Sequence, residues 1–118
     1  MTASRKVAIV TGGARGIGLA TALLFQERGL TAVIVDSDAA ELAAAASATP
    51  GLVAIAADIS VPADVERMIA AVLAAEGRID VLVNNAGIAD FGPLAETDFA
   101  RWRQVMAVNL DGVFLCSQ

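Results

Sequence analysis

The chain has 118 residues, enough for one domain or part of one. Hydrophobic residues make up 57% of it and charged residues 18%, which is typical of a globular protein and excludes a disordered one. The net charge of −5 and the isoelectric point of about 4.4 argue against nucleic acid or an anionic membrane as a partner, because both would be repelled.

The chain contains a single cysteine, Cys116, and no histidine. No disulfide can form within it, which suits a reducing cytoplasm, and a metal site is not expected. Without a histidine to activate it, Cys116 is interpreted as a small buried hydrophobe. The first residues carry too short an apolar run for a signal peptide, and no run is long enough to span a membrane. We therefore expect a soluble, cytoplasmic protein.

Four short apolar runs predict β-strands. They are continuous rather than alternating, and helical patterns separate them, which indicates a parallel sheet with helices on both faces. The fold class predicted is α/β, a doubly wound parallel sheet. The runs are VAIVT (7–11), TAVIVD (31–36), LVAIAAD (52–58) and IDVLVNN (79–85).

Helix signals fill the intervals between the strands. In the first predicted helix Ile17, Ala20 and Leu24 share one face, and Gly29 stands at the expected C-cap. Ser37 or Asp38 is expected to cap the second. In the third predicted helix Ser60 is the expected cap, Pro62 stands in the first turn, Gly77 is the expected end, and the inner face consists of Val65, Met68, Ile69 and Val72. A loop is predicted over GIADFGP (87–93). Thr97 or Asp98 is expected to open a last helix, which carries Phe99, Trp102, Met106 and Leu110.

A glycine-rich turn, TGGARGIG (11–18), lies between the first strand and the first helix. Gly12, Gly16 and Gly18 would let the backbone approach a pyrophosphate. That group would then rest on the helix N-terminus, where free N–H groups favour negative charge. A glycine turn alone is weak evidence, but its position after the first strand predicts nucleotide binding.

Asp36 ends the second strand, where a carboxylate can accept hydrogen bonds from an adenosine ribose. The alternative is a simple cap for the following helix. A carboxylate there would repel a 2′-phosphate, which favours NAD over NADP. Arg15 argues the other way, since its guanidinium could pair with that phosphate. We expect the fixed charge of Asp36 to outweigh a long, flexible cation.

Polar residues also follow the third and fourth strands. Asp58 could accept a hydrogen bond from an adenine amino group, or could be only a turn residue before Ser60. NNAG (84–87) places two asparagines at the end of a buried strand, which is costly unless their amides are bonded. Ligands bind at this edge in open α/β sheets.

Two residues of the last predicted helix stand out. Asn109 is polar within an apolar stretch, and either faces solvent, bonds backbone, or has a functional role. Trp102 is expected to pack in a core or an interface rather than contact a cofactor, and the flanking Arg101 and Arg103 are expected on a solvated face.

Taken together, TGGARGIG, Asp36, the stretch from Asp58 to Ser60, NNAG and VNLDGVF resemble the short-chain dehydrogenase/reductase family over essentially the whole chain. The resemblance implies a Rossmann fold, a nicotinamide cofactor and a small alcohol or carbonyl substrate. It also implies a homo-oligomer for the complete enzyme.

The resemblance also implies roles for single residues. The glycine turn holds the pyrophosphate, Arg15 and Ile17 are counted among the cofactor-binding residues, and Asp36 selects NAD. Asp58 meets the adenine, with the backbone of Ile59 nearby. The cofactor path is lined by Asn85, Ala86 and Gly87. Asn109 kinks its helix and helps to hold a water in a proton relay.

The family's catalytic Ser, Tyr and Lys lie beyond the position of residue 118. The chain contains no Tyr, its only Lys is Lys6, and Ser117 lies too near Asn109 to be the family's Ser. We therefore expect residues 1–118 to be an incomplete NAD(P)-binding domain without its catalytic C-terminal half, inactive alone and prone to aggregate. The alternatives are a catalytically silent nucleotide-binding module or sensor and, less favoured by NNAG, a methyltransferase of similar topology.

Overall fold

A parallel four-stranded sheet forms the centre of the protein, in the order β3-β2-β1-β4. The computed structural model describes residues 5–87, 94–96 and 98–118. The strands are β1 (Val7–Thr11), β2 (Thr31–Asp36), β3 (Val53–Ala56) and β4 (Val81–Val83). The first two match the predicted ranges, whereas β3 and β4 are shorter than predicted.

Helices follow each strand. They are α1 (Gly16–Glu27), α2 (Ala39–Ala48), α3 (Pro62–Glu76), α4 (Phe99–Met106) and α5 (Gly112–Ser117), with a short 3-10 turn at Leu94–Glu96. A π-helical turn, Ala107–Asp111, joins α4 to α5. The predicted loop over 87–93 and the possible cap Thr97 lie largely outside the described residues.

Side chains along each strand alternate between the two faces of the sheet, and each face carries one hydrophobic core. Ile9 and Val35 point to one face, where they pack with Met68 of α3. Val10 and Ile34 point to the other face, where α1 and α2 pack. Helices therefore cover both faces, which confirms the predicted doubly wound α/β fold.

Strand order explains where a ligand can enter. From β1 the chain builds outward through β2 to β3, and then returns to the other side of β1 with β4. The crossover connections diverge between β1 and β4, so a crevice opens at the carboxyl ends of these two strands. The glycine turn and NNAG meet at this switch point, because Val10 pairs with Val83 in register.

Most of the predicted helix features are confirmed. Val65, Met68 and Val72 are buried, Ile69 packs against them, and Gly77 ends α3 in a left-handed conformation. The C-cap of α1 is Arg28 rather than the predicted Gly29, which is the next residue and has a left-handed φ of +89°. Cys116 is buried as expected, and burial raises the pKa of its thiol.

Two further expectations for the helices need revision. The α1 face with Ile17 and Leu24 points to solvent, since these side chains are 79% and 49% exposed, and α1 instead buries Gly18 and Ala22. Val61, not Ser60, occupies the N-cap of α3. Trp102 is 51% exposed and so lies outside the core, which leaves an interface as the remaining expectation for it.

Candidate functional site

A cavity of about 340 Å³ opens at the carboxyl ends of the strands, and we call it the strand-end cavity. Its volume lies in the range of small-molecule sites, roughly 300–1,000 Å³. All four strand ends contribute residues to it, and α4 with the π-helical turn closes one side. It is lined by Gly12, Arg15, Val35, Asp36, Ser37, Asp38, Ala57, Asp58, Ile59, Asn85, Ala86, Gly87, Gln104 and Val108.

The glycine turn is tight because its backbone packs where side chains would stand. A Cβ on Gly18 would lie 2.2 Å from the carbonyl oxygen of Gly12, and a Cβ on Gly12 would lie 2.8 Å from the Cα of Ala86. Gly16 differs, since a Cβ there would meet nothing within 4 Å, although its φ of +60° favours glycine. The turn is thus closed toward the protein and open on the side of Gly16.

Helix α1 begins in this turn without a capping side chain. Arg15 is its N-cap residue and makes no side-chain cap bond, and no acidic residue stands in the first turn of the helix. The first N–H groups of a helix lack intrahelical partners and carry partial positive charge. The geometry therefore provides donors for an anion beside the strand-end cavity.

Thr11, the last residue of β1, connects the glycine turn to NNAG. Its hydroxyl donates to the Val83 carbonyl oxygen at 3.3 Å and accepts from the backbone N–H groups of Asn85 and Ala86, each at 3.1 Å. The Asn85 Nδ2 donates to the Gly12 carbonyl oxygen at 3.1 Å. These bonds hold Asn85 against the glycine turn and fix one wall of the strand-end cavity.

Asp36 stands at the end of β2 on the same cavity as Arg15. Its Oδ1 accepts from the backbone N–H of Asp38 at 3.1 Å, and its Oδ2 accepts from that of Ala14 at 3.4 Å. Asp38 caps α2, because its Oδ1 accepts from the Glu41 N–H at 3.1 Å. The structure therefore places Asp36 outside the capping role and ties its carboxylate to the glycine turn.

Asp58 organises the turn that follows β3. Its Oδ1 accepts from the hydroxyl of Ser60 at 2.6 Å and from the backbone N–H of Ser60 at 3.0 Å. Its own N–H donates to Asp64 Oδ2 at 2.9 Å. Asp58 is thus a turn residue, as one interpretation expected, and it also lines the strand-end cavity. Ser60 serves this turn instead of capping α3.

Asn109 lies in the π-helical turn. Single π turns within α-helices are rare and are frequently found at functional sites. The Oδ1 of Asn109 approaches Gly87 so closely that a Cβ on Gly87 would lie 3.3 Å from it. The turn thereby brings the Asn109 side chain next to the end of NNAG.

Eight of the predicted site residues line the strand-end cavity, and four do not: Gly16, Ile17, Gly18 and Asn109. Sequence reasoning missed other lining residues. Ser37, Asp38 and Ala57 follow strand ends, and that position alone could have indicated them. Gln104 and Val108 belong to a helix whose placement depends on long-range packing, so no local signal marked them.

Among the described residues, no helix is long and apolar enough to cross a membrane. The same residues contain no group of three or more His, Cys, Asp or Glu side chains that could hold a metal ion.

Comparison with known proteins identifies the family. The model of the short chain dehydrogenase family matches residues 6–118. The chain belongs to this family. It is 40% identical over 122 residues to the BbsD subunit of (2S)-[(R)-hydroxy(phenyl)methyl]succinyl-CoA dehydrogenase of Thauera aromatica, covering 100% of this chain and 49% of that protein. It is 44% identical over 115 residues to galactitol 2-dehydrogenase (L-tagatose-forming) of Cereibacter sphaeroides, covering 94% and 44%.

Solved structures agree with this assignment. The crystal structure of 3-ketoacyl-(acyl-carrier-protein) reductase from Brucella melitensis complexed with NADH superposes with a TM-score of 0.90 and 37% identity, covering 95% of this chain and 47% of that one. A short chain dehydrogenase from Bacillus anthracis gives a TM-score of 0.91 at 32% identity, covering 96% and 48%. The chain thus spans about half the length of the relatives that it matches.

Proposed function

We propose that residues 1–118 form the NAD-binding part of a short-chain dehydrogenase that oxidises or reduces an alcohol/carbonyl pair. The observation that carries this proposal is the placement of the glycine turn and the Asp36 carboxylate on one cavity. The NADH complex of the Brucella melitensis reductase supports the same cofactor class.

The residues of the strand-end cavity fit a dinucleotide. The turn from Gly12 to Gly18 would hold the pyrophosphate, because no side chain caps the first N–H groups of α1 and a Cβ on Gly16 would meet nothing within 4 Å. Asp36 would accept from the adenosine ribose. Asp58 has one carboxylate oxygen engaged by Ser60, and its other oxygen would accept from the adenine amino group. Asn85, Ala86 and Gly87 would line the path toward the nicotinamide, beside Asn109.

The proposed preference for NAD over NADP rests on the fixed negative charge of the Asp36 carboxylate. The Asp36 carboxylate is tied to two backbone N–H groups, so it cannot turn away from a ligand without losing those bonds. A 2′-phosphate beside it would meet a like charge. Arg15 is exposed, and its long side chain would be ordered only at an entropic cost.

The chemistry of the family is hydride transfer, which the nicotinamide cofactor supplies when bound. Of the residues that the resemblance implies for proton transfer, the chain contains Asn109, which we propose helps to hold the relay water. The chain contains no Tyr, and its only Lys is Lys6. We therefore propose that these 118 residues bind the cofactor but show no turnover alone.

Calorimetry tests this proposal with one matched pair of variants. The folded chain should bind NAD more tightly than NADP. Asp36→Asn should weaken NAD by roughly tenfold, since a charge-assisted hydrogen bond is worth about 1.5–3 kcal/mol, and should reduce the preference over NADP. Glu66→Gln removes one negative charge from an exposed position on α3 and should change neither value. Equal affinity of wild type and Asp36→Asn for NAD would contradict the proposed role.

A turnover assay tests whether these residues are catalytic on their own. We expect no NADH formation by this chain with secondary alcohols. A rate that Asn109→Ala abolishes would show instead that these residues suffice for catalysis.

We also propose that the complete enzyme is a homo-oligomer. Phe99, Trp102 and Phe114 expose 75%, 51% and 64% of their surfaces along α4 and α5. Large exposed apolar side chains in one segment support an interface with a second copy. Analytical ultracentrifugation of the complete enzyme would test this, and a monomer at micromolar concentration would contradict it.

A further inference from the structure

One side of the strand-end cavity is helical, and the turn after β3 contributes another side. Gln104 and Val108 contribute the helical side, and Asp58 and Ile59 contribute the turn. The distance between these two sides sets the width of the cavity. The two sides meet directly at Gly112, the first residue of α5.

Gly112 leaves room that no other residue would leave. Its φ of −60° and ψ of −40° are ordinary helical values, so the backbone conformation does not require glycine. A Cβ there would lie 2.6 Å from Cδ1 and 2.8 Å from Cγ1 of Ile59. Both residues are buried, so either the Ile59 side chain or the helix would have to move.

A second close contact lies one helical turn earlier. The Oδ1 of Asn109 approaches Gly87 at a position where a Cβ would be 3.3 Å away. The π-helical turn Ala107–Asp111 thus ends in a segment held against two sides of the cavity, NNAG and the turn after β3. In both contacts one partner has no side chain, so the helix lies closer to the cavity than larger residues would permit.

We propose that Gly112 is a positioning residue for cofactor binding: it seats the helix directly on Ile59 and so sets the width of the strand-end cavity for the adenosine half of the dinucleotide. The proposal rests on the proposed function of this cavity. A side chain at position 112 displaces either the turn that carries Asp58 or the helical side that carries Val108. Either displacement moves ligand-facing groups from their places without removing any of them.

Three variants test the proposal: Gly112→Ala, Ile59→Ala, and the double variant. Ile59→Ala removes both atoms that a Cβ at position 112 would meet closely. Urea unfolding is followed by circular dichroism. Dissociation constants for NAD and ADP-ribose are then measured at a temperature where each variant is folded, so that lost folding does not count as lost affinity.

Gly112→Ala should lower the urea midpoint, although alanine is the better helix former and would raise the midpoint in the absence of a clash. It should weaken NAD and ADP-ribose alike, by roughly tenfold. Combining it with Ile59→Ala should give an affinity within about twofold of Ile59→Ala alone, since neighbouring changes that relieve one clash are not additive. If Gly112→Ala does not fold, restored folding in the double variant supports the same contact.

Two results would overturn the proposal. One is a Gly112→Ala variant that binds NAD as tightly as wild type, whether or not it is less stable, because the contact would then be only structural. The other is a double variant that is no better than the sum of the single changes. If the folded wild-type chain does not bind NAD at all, the proposed function fails and this inference fails with it.

Discussion

Replacing Thr11 with valine would remove the hydroxyl that joins the glycine turn to NNAG. The residue is fully buried, and valine keeps its shape while removing one donor and one acceptor. The backbone N–H of Asn85 would keep a second acceptor, the Val83 carbonyl oxygen at 3.1 Å. For the Ala86 N–H, in contrast, the Thr11 hydroxyl is the acceptor that would be lost.

The size of the effect follows from these bonds. One partly buried N–H without an acceptor costs about 1–3 kcal/mol, and the lost bond to the Val83 carbonyl adds about 1 kcal/mol. We therefore expect Thr11→Val to lower the free energy of unfolding by about 2–4 kcal/mol. Thr11→Ser keeps the hydroxyl and loses one methyl group, which costs about 1 kcal/mol.

Urea unfolding followed by circular dichroism compares the two variants, with free energies from linear extrapolation. Thr11→Val should be the less stable of the two by at least about 1 kcal/mol. If it equals or exceeds Thr11→Ser in stability, burial of the methyl group and not hydrogen bonding holds this junction, and the explanation of NNAG placement is wrong.

Three further changes have distinct expected outcomes. Gly18→Ala would place a Cβ 2.2 Å from a backbone carbonyl oxygen, so we expect the free energy of unfolding in urea to fall by at least about 3 kcal/mol. The control Gly16→Ala, where only the positive φ is strained, should lower it by about 1 kcal/mol. Equal decreases for the two variants would contradict the close packing at Gly18. Met68→Ala should cost about 2–5 kcal/mol in the same assay, since this side chain is fully buried, and a loss below about 1 kcal/mol would place it outside the core. A hydrogen bond from the Arg78 side chain lowers the pKa of Asp80, so its stabilisation is complete above the unfolded pKa of about 3.9 and is lost as the pH falls through the lower folded value. Asp80→Asn should therefore reduce the fall in thermal midpoint between about pH 5 and pH 2, and an unchanged pH profile would exclude this pair as its cause.

The apolar runs in the sequence predicted the strands well where both faces of the strand are buried. The runs at 7–11 and 31–36 became β1 and β2 without change, because both lie inside the sheet between other strands. The two outer strands are shorter than their apolar runs. A run of apolar residues cannot show where pairing with a single neighbour ends.

Helix details were harder to predict, because they depend on tertiary packing. Ile17 and Leu24 share a face as predicted, yet that face is exposed, since Gly18 and Ala22 permit closer packing on the sheet. Ser60 has the right residue type for a cap, but its N–H and hydroxyl both donate to Asp58, which holds its side chain in the turn after β3, and Val61 is the N-cap residue. Competing short-range hydrogen bonds of this kind are not visible in helix signals alone.

The sequence predicted the site residues that directly follow strands, but not those that long-range packing places there. Residues such as Asp36 and Asn85 follow strands directly, so the carboxyl edge of the sheet collects them. Val108 reaches the cavity only through the long-range placement of its helix, and Gly112 is explained only by its distance to Ile59.

Titration of the ¹⁵N-labelled chain with NAD, followed by amide chemical shifts, tests the central claim most directly. The account predicts saturable shifts that concentrate at residues 12–18, at Asp36, at 58–59 and at 85–87. Shifts confined to the opposite end of the sheet around Ile79, or no shifts in a sample with a dispersed, folded spectrum, would contradict the assignment of the strand-end cavity to the cofactor.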